Sequence, residues 1–350
     1  MSNILEMFLT PGPADFLVRV VIILVKIAAV LAIALLHVAY ATYWERKVIG
    51  HMQVRLGPIE VGPHGLLQPI ADGIKLFFKE DIIPANSDKP LFYLAPIIFM
   101  VSALTSLSVL PFFNRFVVAD INVGLLFLFA MSSLGAYGIV LSGWASNSKY
   151  AFLGGLRSAS QVISYEIAMG LSLVGVMIMA GSLNLSEIVR AQHQYPTGIY
   201  AVPQFLGFFV FILAAFAETN RLPFDLPEAE SELVAGYFTE YSGFRFALFF
   251  LGEYTGMLIM SSIAAICFLG GWTIPLFVTN VLPFLSYVPG IVWFLMKVYA
   301  FMFFYYWVRA TLPRYRYDQL MAIGWKILIP LALLNIVITA AAKMFIKGLL

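Results

Sequence analysis

The sequence predicts an all-α protein that crosses a membrane about eight times and carries an amphipathic helix on one membrane surface. The chain has 350 residues, of which 61% are hydrophobic and 11% are charged. Several of its apolar segments are long enough to cross about 30 Å of hydrocarbon, which takes roughly 20 residues, and they are too long and uniform for barrel strands. We treat 1–350 as a single membrane domain. The segments lie at about 16–44, 91–110, 122–141, 159–180, 204–217, 244–271, 290–308 and 319–342.

The polar connection after the first segment contains a stretch with helical periodicity, from residue 65 to residue 80. At 100° per residue its apolar and polar side chains fall on opposite faces. The stretch is too short and too charged to span, so it predicts an amphipathic helix at the membrane surface. An ordinary interfacial helix and the wall of a binding chamber are both open interpretations. The apolar face comprises Leu66, Leu67, Ile70, Ile74, Phe77 and Phe78, and the polar face comprises Gln68, Asp72, Lys75 and Lys79.

Basic residues in the connections predict the orientation. With eight crossings the connections alternate sides, and one side collects most of the lysines and arginines. By the positive-inside rule that side is cytoplasmic, which places the amphipathic helix on the cytoplasmic side and both termini outside. The cytoplasmic set is Arg46, Lys47, Arg55, Lys75, Lys79, Lys89, Lys149, Arg157, Arg221, Arg309, Arg314 and Arg316, and the outer set is mainly Arg115, Arg190, Lys343 and Lys347.

Composition narrows the chemistry further. The net charge of +2 does not indicate a nucleic-acid partner. The single cysteine, Cys267, cannot form an internal disulfide or by itself hold an iron–sulfur cluster, which takes about four thiolates. The four histidines lack the paired spacing of haem or zinc ligands, so we assign no metal site.

Three glutamates lie within or at the ends of predicted spans: Glu166, Glu218 and Glu253. A charge at the middle of a bilayer costs on the order of 3 kcal/mol, so we expect them to face one another, Lys297 or water inside the bundle. Carboxyl groups kept from water and close together can exchange protons near neutral pH, as a proton relay requires. Structural pairing with a basic side chain is the alternative.

An acidic hinge, residues 218–240, separates the fifth and sixth segments. Asp225 precedes an apparent helix start, where the helix dipole favours acidic residues, and simple complementarity to that dipole is one interpretation of the hinge. Glu218 falls at a helix C-terminus, and Arg221 is its expected partner. The acidic residues of the hinge are Glu218, Asp225, Glu228, Glu230, Glu232 and Glu240.

Basic and aromatic residues on the same predicted side can pair with this hinge or with acidic residues of another protein. The alternative is that the basic residues only reflect the positive-inside rule and bind no partner. The group is Trp44, Arg46, Arg55, Phe224, Arg309, Arg314 and Arg316.

Six motifs, in this order along the chain, resemble the H subunit of respiratory complex I, and the resemblance covers essentially the whole sequence. They are ERK at 45–47, QVRLGP at 53–58, GPHGLLQPIADGIKL at 62–76, ETNRLPFDLPE at 218–228, EYT at 253–255 and VRATLPRYRYDQL at 308–320.

The resemblance implies a membrane-arm subunit of a bacterial proton-pumping NADH:quinone oxidoreductase, in the plasma membrane at the joint with the peripheral arm. Its partners would be the peripheral-arm subunits of the quinone site, the neighbouring small membrane subunits and the lipid bilayer. Quinone would be the substrate, entering between the first span, the amphipathic helix and the seventh span, and this chain would hold no flavin, haem or iron–sulfur cluster. The implied quinone chamber and entrance involve Arg46, Arg55, Asp72, Arg221, Phe224 and Arg309. The implied proton relay involves Glu166, Glu218, Glu228, Glu230 and Glu253.

Three other functions are compatible with parts of this pattern. A related membrane anchor of a membrane-bound hydrogenase would not need a quinone chamber. A stand-alone proton or ion antiporter shares the buried carboxylates but usually carries internal repeats, and no clean repeat is visible. A purely structural anchor would tolerate the loss of every buried carboxylate.

Overall fold

The computed structural model describes residues 13–113, 116–225, 236–275 and 283–346. Within these ranges the secondary structure is helical, and the β interaction present is an isolated bridge between Phe113 and Phe116. The all-α prediction is confirmed. The helices are α1 Pro13–Met52, α2 Gln68–Phe78, α3 Lys89–Ser106, α4 Gly124–Ala145, α5 Lys149–Ala180, α6 Leu185–Gln194, α7 Phe205–Glu218, α8 Gly243–Phe268, α9 Gly290–Thr311, α10 Tyr317–Ile323 and α11 Ile329–Ile346.

Seven helical segments of the described part are long and apolar enough to cross a membrane. They are α1, α3, α4, α5, α8, α9 and the segment Tyr317–Phe345, in which a π-helical turn, Gly324–Leu328, joins α10 to α11. Helix α7 is apolar as well but has only 14 residues. Seven long helices and a short one agree with the prediction of about eight crossings.

Helix α7 is short because other helices enclose it. Fourteen residues extend about 21 Å, which is less than the hydrocarbon thickness. Beyond its N-terminus, Gln204 donates to Thr339 Oγ1 at 2.7 Å and accepts from Asn335 at 2.8 Å. At its C-terminus the Ala217 carbonyl accepts from the Gln161 amide at 2.7 Å. Protein groups bond both ends, so a helix too short to reach both membrane surfaces is stable at that depth.

The spanning helices alternate in direction, so their ends form two layers. At the Arg46 end, Arg46 bonds to Asp72, and the Asp88 backbone N–H donates to the Ala145 carbonyl at 3.1 Å. At the Lys343 end, the Lys343 ammonium group donates to the Ile178 carbonyl. Helix α1 begins and α11 ends in this second layer.

Two segments that the sequence indicated as polar connections are helical. Helix α5 begins at Lys149 and not near residue 159, because small residues in its first turns allow very close packing. A Cβ atom at Gly154 would lie 2.6 Å from Gly236 Cα. The connection between the predicted segments 159–180 and 204–217 contains α6, whose N-terminus is capped by the Asn184 side chain, which accepts from the backbone of Ser186 at 2.8 Å. In the connection between the predicted segments 244–271 and 290–308, residues 276–282 lie outside the described part and Pro283–Tyr287 is a 3₁₀ turn.

The predicted amphipathic helix is α2. Its apolar face is largely exposed in the described chain, with Phe77 69% and Phe78 87% exposed, although the Phe77 ring stacks on that of Phe244 with a distance of 4.8 Å between the ring centres. On the opposite face, Asp72 bonds to Arg46 of α1. The helix therefore lies along the outside of the bundle at the Arg46 end, with its polar face turned inward to α1.

Candidate functional site

The Arg46 end holds a buried cluster of charged side chains around Glu45 of α1, which is 3% exposed. Glu45 Oε1 accepts hydrogen bonds from Arg309 of α9 and from Nη1 of Arg221, 3.4 Å away. Glu45 Oε2 accepts from the Tyr254 hydroxyl at 2.5 Å. The Arg221 guanidinium group also lies over the Tyr254 ring, 4.3 Å from its centre. A carboxylate from α1 thus joins two arginines and a tyrosine from three other parts of the chain.

A cavity of about 550 Å³ borders this cluster. Glu45, Tyr254 and three of the predicted chamber residues, Arg46, Arg55 and Arg309, line it. Cationic, hydroxyl and carboxylate groups therefore converge on one space. Its volume lies within the range of about 300–1,000 Å³ typical of small-molecule sites.

The wall of this cavity includes the loop between α1 and α2, and Gly65 gives the loop its shape. Gly65 has a φ of +81°, and a Cβ atom there would lie 2.1 Å from the carbonyl oxygen of Pro58, which lines the cavity. Only glycine allows this approach.

Asp72 joins α2 to the cavity. Its Oδ2 accepts from Arg46 Nη1 at 2.8 Å, and its Oδ1 accepts from Gln68 Nε2 at 2.9 Å. Lys75 Nζ lies 3.7 Å from the same carboxylate. Asp72 holds Arg46, which lines the cavity, but it is not itself a lining residue.

The interior of the bundle contains a second, smaller cavity of about 80 Å³, lined by Glu218 and Glu253. Glu218 Oε1 accepts from Ser132, and Glu166 Oε1 accepts at 2.5 Å from Ser133, the next residue of α4. Neighbouring serines therefore bring Glu218 and Glu166 close together, as the sequence predicted.

Glu253 lies on another side of the small cavity, where its Oε1 accepts from the Tyr237 hydroxyl at 3.2 Å. Its side chain is 7% exposed, so this carboxyl group is enclosed by protein. Glu218 and Glu253 thus line one interior cavity, whereas Glu166 is only partly buried and does not line it.

Two short pieces of chain connect the Glu45 cluster with the interior carboxylates. On α8 the consecutive residues Glu253 and Tyr254 border different cavities, the small interior one and the large one at the Arg46 end. In the turn after α7, Glu218 borders the interior cavity, while Arg221, three residues on, bonds to Glu45. The expected pair of Glu218 with Arg221 is thus replaced by bonds to Ser132 and to Glu45.

Phe224 stabilises the same turn and does not line the large cavity. It is 3% exposed, with its ring centre 5.7 Å from that of Tyr165 and 5.6 Å from that of Tyr315. Next to it, Asp225 Oδ2 lies 3.2 Å from Arg314 Nη2.

Lys297, a suggested partner of the buried glutamates, lies at the Lys343 end. Its ammonium group donates to the carbonyls of Leu269, Gly271 and Thr273 at 2.6, 2.8 and 2.7 Å. It satisfies carbonyls at the C-terminus of α8, where a positive charge is favoured.

A third cavity, about 390 Å³ and mainly aromatic, lies between α1 and α9 and is lined by Tyr40, Trp44 and Tyr299 among others. His37, also in its wall, contacts the Tyr299 hydroxyl through Nδ1 at 3.2 Å. Trp44 is the residue before Glu45, so this apolar cavity and the charged cluster are neighbours on α1.

Two of the predicted relay residues, Glu228 and Glu230, lie outside the described residues. Among the residues that are described, no group of three or more histidine, cysteine, aspartate or glutamate side chains could hold a metal ion. Cys267 is a free, buried thiol.

Sequence reasoning missed the centre of the charged cluster. Glu45 is part of the first motif, but it is not among the site residues that the sequence predicts. Tyr254 directly follows Glu253, a predicted site residue, and this position next to Glu253 was the available sequence signal that Tyr254 belongs to the site. Ser132 and Ser133 had no signal beyond their place in an apolar helix.

Comparison with known proteins gives one consistent result. The family described as NADH dehydrogenase matches residues 25–340. The chain is 56% identical over 321 residues to the NADH-quinone oxidoreductase H subunit of Rhodospirillum rubrum, covering 91% of this chain and 93% of that protein. It is 55% identical over 326 residues to the H subunit of Paramagnetospirillum magneticum, covering 93% of each chain. It is 53% identical over 337 residues to that of Rickettsia typhi, covering 96% of this chain and 97% of the other.

Fold and site define a polytopic helical membrane protein in which a charged cluster borders a cavity and carboxylates line the bundle interior. The three relatives reported above all carry the name of one subunit of one enzyme complex. The chain belongs to the NADH dehydrogenase family, as the H subunit of the NADH-quinone oxidoreductase known as respiratory complex I.

Proposed function

We propose that the cavity of about 550 Å³ at the Arg46 end receives the headgroup of a quinone. A quinone presents two carbonyl acceptors on a flat ring, and the cavity offers the donors Arg46, Arg55 and Arg309. The observation that carries the proposal is the Glu45 cluster, because it holds Arg309 as a donor in the wall of a cavity large enough for the ring, while the Tyr254 hydroxyl, whose proton is donated to Glu45, borders the same space. Asp72 and Arg221 orient Arg46 and the cluster, and Phe224 fixes the turn that carries Arg221.

The isoprenoid tail of the quinone would enter between α1, α2 and α9. The aromatic cavity between α1 and α9 supports this route, because its wall includes Trp44, which precedes Glu45. The largely exposed apolar face of α2 offers a surface of the same character, and Phe78 is 87% exposed on it. Both features suit an apolar chain arriving from the bilayer.

We further propose that quinone chemistry is coupled to proton transfer through Glu218, Glu166 and Glu253, continued by Glu228 and Glu230. Arg221, three residues after Glu218, bonds to Glu45, which lines the chamber, so the turn connects Glu218 with the chamber. A unit charge that appears about 10 Å from Glu218 would contribute about 1.7 kcal/mol at an effective dielectric constant of about 20. That is enough to change the proton occupancy of a carboxyl group roughly tenfold.

The proposal includes an orientation. Most arginines and lysines of the connections lie at the Arg46 end, which the positive-inside rule makes cytoplasmic in the bacterial plasma membrane. The peripheral-arm subunits of the quinone site would dock at this end, and neighbouring small membrane subunits would pack on the sides of the bundle. NADH would be oxidised elsewhere in the complex.

Proton transfer is tested with the assembled complex in proteoliposomes carrying Glu218→Gln. We expect NADH-driven proton translocation to fall at least fivefold at an unchanged amount of complex. Glu187→Gln, which changes an exposed glutamate at the Lys343 end, is the matched control. Full proton translocation by the Glu218→Gln complex would contradict the relay.

Quinone binding is tested with a photoreactive short-chain quinone added to the same complex. We expect labelled peptides from residues 42–58, and excess unmodified quinone should remove the label. Competed labelling confined to the Lys343 end would contradict the chamber.

A further inference from the structure

The side chain of Gln161, on α5, is fully buried and bonds to both ends of one turn. Its Nε2 donates to the Ala217 carbonyl and to the Phe224 carbonyl, each at 2.7 Å. Its Oε1 is buried and has no hydrogen-bond partner among the described residues. The NH₂ group of the side chain therefore bonds to two carbonyls of the turn, whereas the side-chain oxygen has no hydrogen-bond partner among the described residues.

The two bonded carbonyls enclose the residues that connect the proposed chamber with the proposed relay. Ala217 immediately precedes Glu218, which borders the interior cavity. Phe224 lies three residues after Arg221, which bonds to buried Glu45. Only residues 218–223 separate the two anchored carbonyls. One side chain thus bonds to the chain on both sides of these two functional groups.

Backbone bonds hold the first half of the turn to α7, because the Asn220 N–H donates to the Ala217 carbonyl at 3.3 Å and the Arg221 N–H donates to the Phe216 carbonyl at 3.2 Å. Two further contacts hold its second half. The Tyr315 backbone N–H donates to the Pro223 carbonyl at 3.1 Å, and Arg314 lies 3.2 Å from Asp225. Both act near Phe224, whose ring also packs against Tyr165. The Gln161 amide is the described side chain that bonds across the turn, because it reaches Ala217 as well.

We propose that Gln161 is a positioning residue that couples the quinone chamber to the glutamate relay by holding Glu218 and Arg221 at a fixed separation. This inference rests on the proposed function. Without the two hydrogen bonds, the Phe224 carbonyl would lose the Gln161 donor, the Ala217 carbonyl would keep only weaker backbone donors such as the Asn220 N–H at 3.3 Å, and the turn would relax. A movement of Arg221 together with Glu45 would then no longer move Glu218.

The experiment compares Gln161→Met with Gln192→Met in the assembled complex. Gln192 is an equally buried glutamine whose amide donates to the Ile266 carbonyl at 2.6 Å and accepts from the Gly270 backbone at 2.9 Å, but it lies at the Lys343 end. Loss of structure alone should reduce the amount of both complexes. We expect only Gln161→Met to lower, at least twofold, the number of protons translocated per NADH oxidised by each assembled complex.

A second variant, Gln161→Glu, keeps the size of the side chain but cannot donate to both carbonyls, so the same loss is expected. Ratios equal to that of Gln192→Met in both Gln161 variants would overturn the inference. Failure of both to assemble, beside a Gln192→Met complex that assembles, would also overturn it, because the role would then be folding alone. Including Glu218→Gln distinguishes the proposed relay from the proposed role of Gln161. If Glu218→Gln lowers the number of protons translocated per NADH and the Gln161 variants do not, only the inference about Gln161 is wrong. A fully coupled Glu218→Gln complex would remove the proposed relay and this inference with it.

Discussion

Replacing Glu45 with glutamine removes the carboxylate at the centre of the charged cluster and keeps its shape. The Arg221 side chain facing it is only 7% exposed, whereas that of Arg309 is 30% exposed. Removing one partner of a buried ion pair costs about 3–5 kcal/mol, because the other charge stays buried without compensation. A loss of about 3 kcal/mol changes a folding equilibrium roughly 150-fold. We therefore expect far less assembled complex.

The assay measures the amount of assembled complex in the membrane and its half-time of inactivation on heating, which suits a complex that unfolds irreversibly. Asp72→Asn is the matched control, because it removes a carboxylate whose pair with Arg46 is exposed, with side chains 29% and 52% accessible. Such a pair contributes about 0–1 kcal/mol. Equal abundance and equal heat resistance of the Glu45→Gln and Asp72→Asn complexes would refute the reasoning.

The same reasoning predicts a partial rescue. Adding Arg309→Gln to Glu45→Gln removes one of the two cations left beside the neutral amide. Arg309 is more exposed than Arg221, so replacing Arg309 leaves fewer buried polar atoms without a partner than replacing Arg221 would. We expect the double variant to recover about 1 kcal/mol, or roughly fivefold in assembled complex, relative to Glu45→Gln alone. A double variant less stable than Glu45→Gln would contradict this account.

Three further outcomes follow from the described contacts. Tyr254→Phe removes the 2.5 Å hydrogen bond to Glu45, worth about 1.5–3 kcal/mol for a charged acceptor, so less complex should assemble and it should inactivate faster on heating; abundance and heat resistance equal to those of the unchanged complex would count against the buried cluster. Glu253→Gln should lower protons translocated per NADH while leaving the KM for quinone within about twofold, since its carboxyl group borders the interior cavity and not the chamber. Lys297→Met leaves three carbonyls without their donor, so the free energy of unfolding should fall by about 3 kcal/mol and the complex should inactivate faster on heating, while the number of protons translocated per NADH stays unchanged. A lower number of protons per NADH at normal heat resistance would contradict a purely structural role.

The crossings could be predicted from the sequence because hydrocarbon thickness alone sets their length and polarity. The exceptions have local causes. Helix α5 starts early because Gly154 fits against Gly236, which no hydropathy pattern reveals. Helix α6 was missed because its polar face resembles a loop, although Asn184 supplies an ordinary N-terminal cap.

The candidate site could be predicted only in part. The cost of burying charge pointed correctly to Glu218 and Glu253 as interior groups. The same reasoning failed for Glu45, which stands at the polar end of a helix and is buried only because Arg221 and Arg309 reach it from 176 and 264 residues away. Such long-range pairing leaves no periodic trace in the sequence.

The Glu45 cluster is also poorly explained by stability. Buried ion pairs usually contribute no more than well-packed apolar side chains of similar volume, because desolvation offsets the attraction. A chain that is 61% hydrophobic has ample means to fill this space with apolar groups. The cluster lies beside a large cavity, and Arg221 belongs to the turn that Gln161 fastens next to Glu218. Burial there makes the cluster sensitive to any charge that enters the cavity, since electrostatic effects are strongest where water is excluded. A surface ion pair, screened by solvent, could not transmit that change to the carboxylates inside the bundle.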